Sequence, residues 1–206
     1  MDDLHPKEVV RRGYDAVSYH YRRDDADDGQ YAPWIARLSS CVPARADILD
    51  LGCGCGVPVA RSLARAGHAV TGVDFSAVQV RRARNLVPEA TFIQADATGA
   101  AFPAASFDAI VCLYMFIHLP LDEQPPLFAR IAIWLRPGGW LLVTTGHGAW
   151  TGSEPDWLGS GATMWWSHVD SATYRAWIST AGFGVVSDEF VPEGAGGHTL
   201  FWAKRR

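Results

Sequence analysis

Between residues 46 and 145, short apolar runs alternate with segments of helical spacing, and this alternation leaves few folds open. "ADILDLG" (46–52) has the unbroken apolar character of a strand buried on both faces. In the following "VPVARSLARAG", Val59, Ala60, Leu63 and Ala64 make one helical stripe, and Gly67 can close the helix. "HAVTGVD" (68–74) reads as the next strand, and "SAVQVRRARNLV" (76–87) as a helix with Ser76 as its N-cap. "ATFIQAD" (90–96) and "SFDAIVCLYMF" (106–116) read as two more strands. The helix "DEQPPLFARIAIWL" (122–135) comes next, and an "RPGG" turn leads into the strand "WLLVTT" (140–145). The pattern predicts an α/β fold: a Rossmann-like, doubly wound sheet with helices on both faces.

The flanks differ from this core. Upstream, "HPKEVVRRGYDAVSYHYR" and "YAPWIARLSS" predict one or two extra helices. Downstream, "DSATYRAWISTAGF" (170–183) reads as a helix, after which "VVSDEFVP" and "HTLFWAKR" can pair as an antiparallel hairpin. These two strands bring the expected sheet to seven, with the last one antiparallel. No linker divides the chain, so one domain over 1–206 is expected. Within it, residues 1–40 would cover the site, 41–145 form the ligand-binding core, 146–170 a lid and 171–206 the closing helix and hairpin.

Hydrophobic residues make up 49% of the chain and charged ones 19%, as in a globular protein. The net charge of −4 argues against a nucleic-acid surface, which carries a basic footprint. No apolar run reaches the length that spans a bilayer, and the polar N-terminus lacks a secretory pattern, so a cytoplasmic location is expected. The acid-rich "RDDADDG" (23–29) reads as a solvated turn between two helices. Of four cysteines, Cys53 and Cys55 form a lone CxC, which lacks the paired spacing of a structural zinc site. A disulfide across one residue would be strained, so these cysteines are expected to fill space beside the glycines.

Gly52, Gly54 and Gly56 in "ILDLGCGCG" occupy the turn after the first strand, where ligands of such sheets bind. A dinucleotide fingerprint reads GxGxxG, whereas this loop reads GxGxG followed by Val57. Two acids extend the signal. Asp74 ends the second strand, where a carboxylate can accept from both ribose hydroxyls. Asp96 ends the third, where it can accept from an adenine amino group while the Ala97 N–H reaches a ring nitrogen. Together they fit an adenosine laid across the sheet.

As an ordered set, "ILDLGCGCG", "VTGVDFS", "IQADA", "FDAIVCLYMFIHLP" and "LRPGGWLLVT" resemble the motifs of class I S-adenosylmethionine-dependent methyltransferases. "YDAVSYHYR" is similar to the entry helix of their small-molecule branch. The resemblance implies S-adenosylmethionine as methyl donor and S-adenosylhomocysteine as product. By position it implies that Asp50 with Gly52, Cys53, Gly54 and Gly56 holds the methionine end. Asp74 would hold the ribose, Asp96 and Ala97 would frame the adenine, Tyr14 and Tyr19 would lie near the methyl donor, and Phe75 and Leu113 would also bind the cofactor. The expected partner is a small aromatic or apolar acceptor, with no nucleic acid and no membrane, for a monomer or homodimer. A nicotinamide oxidoreductase on the same sheet and a non-catalytic binder of the cofactor are the rival readings.

Methyl transfer to oxygen or an acidic carbon benefits from a general base, most often histidine. His168 and His118 rank first and His147 next, because each follows a strand at the ligand rim or lies before the sixth helix. His198, at the start of the last strand, ranks below them. Trp150, Trp157, Trp165, Trp166 and Trp177 crowd the segment after the fifth strand. Trp157, Trp165 and Trp166, with Tyr19, His118 and His147, are therefore expected to wall the acceptor. The fourth strand lacks the D/N-P-P-Y pattern of adenine-N6 and glutamine methyltransferases, and no proline precedes Cys112.

Overall fold

The apolar runs become strands because a buried sheet satisfies their backbone polar groups while their side chains feed two cores. The computed structural model describes residues 4–194 and 196–206. In chain order the first elements are α1 (Pro6–Tyr21), α2 (Tyr31–Cys41), β1 (Asp47–Leu51), α3 (Val59–Arg65), β2 (Ala69–Asp74) and α4 (Ala77–Leu86). Then follow β3 (Thr91–Gln94), β4 (Phe107–Cys112), α5 (Gln124–Trp134), β5 (Leu135–Gly146), β6 (Trp150–Glu154) and β7 (Met164–His168). α6 (Ser171–Thr180), β8 (Phe183–Glu193) and β9 (Gly196–Arg205) complete the fold. Ser76 caps α4 by accepting from the Gln79 N–H, and Asp170 caps α6 by accepting from the Thr173 N–H.

Seven strands form one sheet in the order β3-β2-β1-β4-β5-β9-β8. β1 to β5 are mutually parallel, while β9 runs antiparallel to both β5 and β8. Successive residues of a strand serve opposite faces. Ile48, Val111, Leu142 and Trp202 point into one core with Leu38 of α2 and Leu63 of α3. Leu49, Ile110, Leu141 and Phe201 point into the other, with Phe128 of α5 and Ile178 of α6. Each such side chain contributes about 1.5–3 kcal/mol of burial free energy. No helix among the described residues is long and apolar enough to cross a membrane.

Two details depart from the sequence reading. β5 begins at Leu135 rather than after the "RPGG" turn, because Leu135 pairs with Phe107 before the register shifts between Phe107 and Ala109. The segment after β5, read from the sequence only as a lid with no strands assigned, contains a hairpin: β6 and β7 pair antiparallel, with Trp150 opposite His168 and Gly152 opposite Trp166. Gly152 gives way to the Trp150 ring, which a Cβ there would meet at 2.7 Å.

Phe128 is fully buried and stacks on Phe116 with ring centroids 4.2 Å apart. Phe128→Ala is expected to cost about 3–5 kcal/mol, read as a lower urea midpoint.

Candidate active site

From β1 the chain crosses through α3 to β2 on one side, and from β4 through α5 to β5 on the other. The divergence opens a crevice at the C-terminal ends of β1 and β4. A cavity there is walled by the glycine turn, by the ends of β2 and β3, by the segment after β4 and by α1, which lies across the opening. The turn is held from below, since the N–H groups of Gly52 and Cys53 both donate to the Val73 carbonyl, at 2.8 and 3.1 Å. Gly52 has φ +73°, and a Cβ there would lie 2.6 Å from Met115 Cβ, so only glycine fits. Gly56 answers a different demand: it faces Phe92 and Val87 of the core, not the cavity.

Asp50 and Asp74 face the cavity from adjacent strands. Asp50 is 3% exposed, and its Oδ2 is buried without a hydrogen-bond partner among the described residues. Burial, with the nearby Asp74 charge, pushes its carboxyl up to about 7. Asp74 accepts from the Gly54 N–H through Oδ2 and from the Ser76 N–H through Oδ1, both at 2.9 Å. Burial pushes it up to about 6 although these bonds pull it down. A buried carboxylate oxygen without a donor is costly. The pair therefore fits a ligand that brings a cationic or hydrogen-donating group.

Asp96 also lines the cavity, with Ala95 and Ala97, but the chain's own donors already engage both its oxygens. Oδ1 accepts from the Thr98 N–H and hydroxyl, both at 2.9 Å, and Oδ2 from Lys7 Nζ at 2.6 Å. Lys7 also donates to Thr98 Oγ1 at 3.0 Å and Glu123 Oε2 at 2.6 Å. Burial works to raise the Asp96 pKa, but the bonds from Lys7 and Thr98 outweigh it and hold the carboxyl below its ordinary value.

Tyr14 and His118 form the polar centre of an otherwise aromatic wall. His118 Nδ1 lies 2.8 Å from the Trp165 carbonyl, which can only accept, so Nδ1 carries the proton. Nε2 is then a lone pair, and the Tyr14 hydroxyl, 2.9 Å away, donates to it. Burial pushes the imidazole down to about 4, so it stays neutral near pH 7. Edge-on rings of Tyr21, Trp157 and His118 surround Tyr14 at centroid distances of 5.4–5.5 Å.

Of the site residues read from the sequence, the cavity brings together Tyr14, Asp50, Gly52, Cys53, Gly54, Asp74, Phe75, Asp96, Ala97, Leu113 and His118. The rest lie elsewhere. Tyr19 is 66% exposed, with the Arg82 guanidinium 4.1 Å over its ring. His147 Nδ1 bonds Thr199 Oγ1 at 3.0 Å, and His168 Nδ1 bonds the Gly148 carbonyl at 2.7 Å; neither lines the cavity. Trp157, Trp165 and Trp166 back the wall instead of forming it: Trp157 packs on Tyr14 and Tyr21, Trp166 leans on His118, and Trp165 lends its carbonyl. Tyr21, Arg22, Tyr31 and Tyr114 line the cavity and went unpredicted. Helical spacing carried the signal for one of them, since Val10, Tyr14 and Tyr21 recur on one face of α1 and Tyr19 does not.

Residues 48–139 match the family model described as a methyltransferase domain. The chain is similar to the ubiquinone biosynthesis O-methyltransferase of Albidiferax ferrireducens, 34% identical over 119 residues, covering 54% of this chain and 45% of that protein. It is also similar to the 27-O-demethylrifamycin SV methyltransferase of Amycolatopsis mediterranei, 36% identical over 115 residues, covering 52% and 42%. The similarity thus spans less than half the length of these relatives. In fold it resembles the magnesium protoporphyrin IX methyltransferase of Synechocystis PCC 6803, solved with bound S-adenosylmethionine, at a TM-score of 0.77, 19% identity and full coverage of both chains.

The raised acids set a pH dependence. Asp50 and Asp74 bind protons more tightly folded than unfolded, so their stability contribution is complete below the ordinary aspartate pKa and is lost as pH rises through 6 and 7. The depressed His118 acts with the opposite sign, but it is common to the wild type and an Asp50 variant. In the ligand-free protein, Asp50→Asn is expected to gain stability relative to wild type between pH 4 and 8, by roughly 3 kcal/mol. Urea unfolding across that range checks it; a constant difference contradicts the buried, uncompensated charge.

Proposed function

We propose that the chain, whose residues 48–139 match a methyltransferase-domain model, moves a methyl group from S-adenosylmethionine to a hydroxyl group of a small, largely aromatic molecule. The unpartnered Asp50 Oδ2 carries this reading, because it is a buried acceptor that the donor's cationic amino-acid end satisfies. When bound, the donor supplies a methyl group on a sulfonium, an electrophile open to in-line displacement.

The chain's residues supply binding, orientation and exclusion of water. Asp50 and the turn at Gly52–Gly54 hold the methionine end, and Asp74 accepts from ribose hydroxyls. Ala97 and the remaining acceptor capacity of Asp96 frame the adenine. α1 covers the cavity and shuts out bulk water, which strengthens every polar interaction inside. His118 keeps its lone pair on the Tyr14 proton, so a lone pair of the Tyr14 oxygen is left for a donor in the cavity. The acceptor's hydroxyl is such a donor; the Tyr14–His118 pair orients it, and as its oxygen is alkylated its proton passes to the Tyr14 oxygen while the Tyr14 proton passes to His118 Nε2. Holding the reacting atoms in line at about 3–3.5 Å removes much of the barrier. The O-methyltransferase relatives support oxygen as the atom methylated.

Calorimetric titration tests the reading. S-adenosylhomocysteine is expected to bind and NADH not to; the reverse result favours an oxidoreductase. Asp50→Ala and Asp74→Ala are each expected to lose about 2–3 kcal/mol of S-adenosylhomocysteine affinity. With a turned-over hydroxylated aromatic in hand, Tyr14→Phe is expected to lower kcat by about 10²-fold while homocysteine-product affinity stays within about twofold. Equal losses in both would make Tyr14 a packing residue only.

A further inference from the structure

Arg22 is the feature that the reading above leaves unused. Among the described residues it is the only arginine or lysine lining the cavity. It stands where α1 ends and the chain turns extended, and its own backbone is fixed. Its N–H donates to the Ser18 carbonyl at 3.3 Å, and its carbonyl accepts from Arg82 Nη2 at 2.6 Å. The guanidinium rests on two tyrosine rings, 5.7 Å from the centroid of Tyr21 and 5.4 Å from that of Tyr31, and gives one N–H to Tyr31 Oη at 3.2 Å.

An arginine followed so closely by four aspartates should find a carboxylate within the chain, yet among the described residues none, Asp27 included, is paired with it. Asp24 pairs with Arg82, and Asp25 is gripped by both arms of Arg23 at 3.0 Å. Asp28 accepts from Ser62 at 2.7 Å and faces Arg61. Glu193, the acid whose charge acts on Tyr21, Tyr31 and Tyr114, is bound to His198 at 3.0 Å. Arg22 thus keeps most of its donor fork unspent, partly buried, against an aromatic surface. A planar fork of this kind matches a carboxylate in two parallel bonds, and its stacking on rings leaves that edge free.

Resting on the methyltransferase reading, we propose that Arg22 selects the acceptor: a planar aromatic bearing a carboxylate, held between the Tyr21, Tyr31 and Tyr114 rings with its acid group on the guanidinium. Asp50 and Asp74 lie across the same cavity, so the site is polarised. Its acidic end suits the donor's cation, and the one guanidinium lining it among the described residues suits one anionic charge on the acceptor. Arg22 touches tyrosine rings rather than the glycine turn, which favours the acceptor over the donor's own carboxylate as its partner.

The experiment compares two probes that differ only at the charge. 3,4-Dihydroxybenzoate and 4-methylcatechol are titrated calorimetrically into the protein saturated with S-adenosylhomocysteine. Wild type is expected to bind the benzoate at least tenfold tighter than the methylcatechol. Arg22→Met should abolish that preference while S-adenosylhomocysteine affinity stays within twofold; Arg22→Lys, the folding-safe variant that keeps charge and loses the fork, should reduce it. No preference in wild type, or a preference that survives Arg22→Met, overturns the proposal. So does Arg22→Met weakening S-adenosylhomocysteine tenfold with the benzoate preference intact, which assigns the guanidinium to the donor's carboxylate. If wild type fails to bind S-adenosylhomocysteine, the methyltransferase reading fails on its own. The same two titrations on the donor-free protein then decide whether Arg22 selects aromatic carboxylates.

Discussion

Two carboxyl groups at the ends of neighbouring strands, buried together with no cation between them among the described residues, set the character of this molecule. Asp50 and Asp74 are brought side by side by the parallel pairing of β1 with β2, and the hydrophobic layers on both faces leave them little water. Each destabilises the other's charge. A fold that keeps such a pair gives up stability at neutral pH unless a ligand arrives to compensate it. The glycine turn, the Met115 packing behind it and the cover supplied by α1 all preserve that unfinished electrostatic arrangement.

The cover itself is fastened by polar contacts along its length. Lys7 ties its start to Asp96, Thr98 and Glu123, Asp15 binds the Ser76 hydroxyl, and Arg82 gathers its last turn through Ser18. Apolar contact alone would let a short helix slide across the crevice. Directional bonds at both ends fix which residues face the cavity, and so turn Tyr14 and Tyr21 toward it and Tyr19 away.

Much of the scaffold was legible in the residues, for a physical reason: strands buried on both faces must be continuously apolar, and the turns between them must hold glycine or a capping group. β1 and β4 carry those marks plainly, while β8, an edge strand, shows apolar residues mixed with Ser187, Asp188 and Glu189. The β6–β7 hairpin lacks such marks, because its tryptophans, glycines and serines resemble a loop until cross-strand pairing aligns them. The start of β5 hid behind "RPGG", whose turn-forming residues here run on inside the strand. In the site, strand-end acids were readable because position and chemistry coincide. The Lys7–Asp96 bond was not, since a lone lysine 89 residues away carries no pattern. Nor did any local signal mark Arg22 as lacking a carboxylate partner among the described residues, because the nearby Asp24, Asp25 and Asp28 look like its partners until their actual ones are seen.

One contact joins two regions that the chain keeps far apart. The β6–β7 hairpin reaches the cavity through the main-chain oxygen of Trp165, which fixes the His118 ring that in turn fixes the Tyr14 hydroxyl. A main-chain atom is indifferent to the side chain it belongs to. Hairpin positions whose side chains stay clear of Tyr14 and His118 can therefore change while that main-chain contact holds, whereas Trp157 and Trp166, packed on those two rings, cannot change so freely. Insertions that displace the hairpin's backbone are another matter, and would be felt at once in the alignment of the reacting hydroxyl.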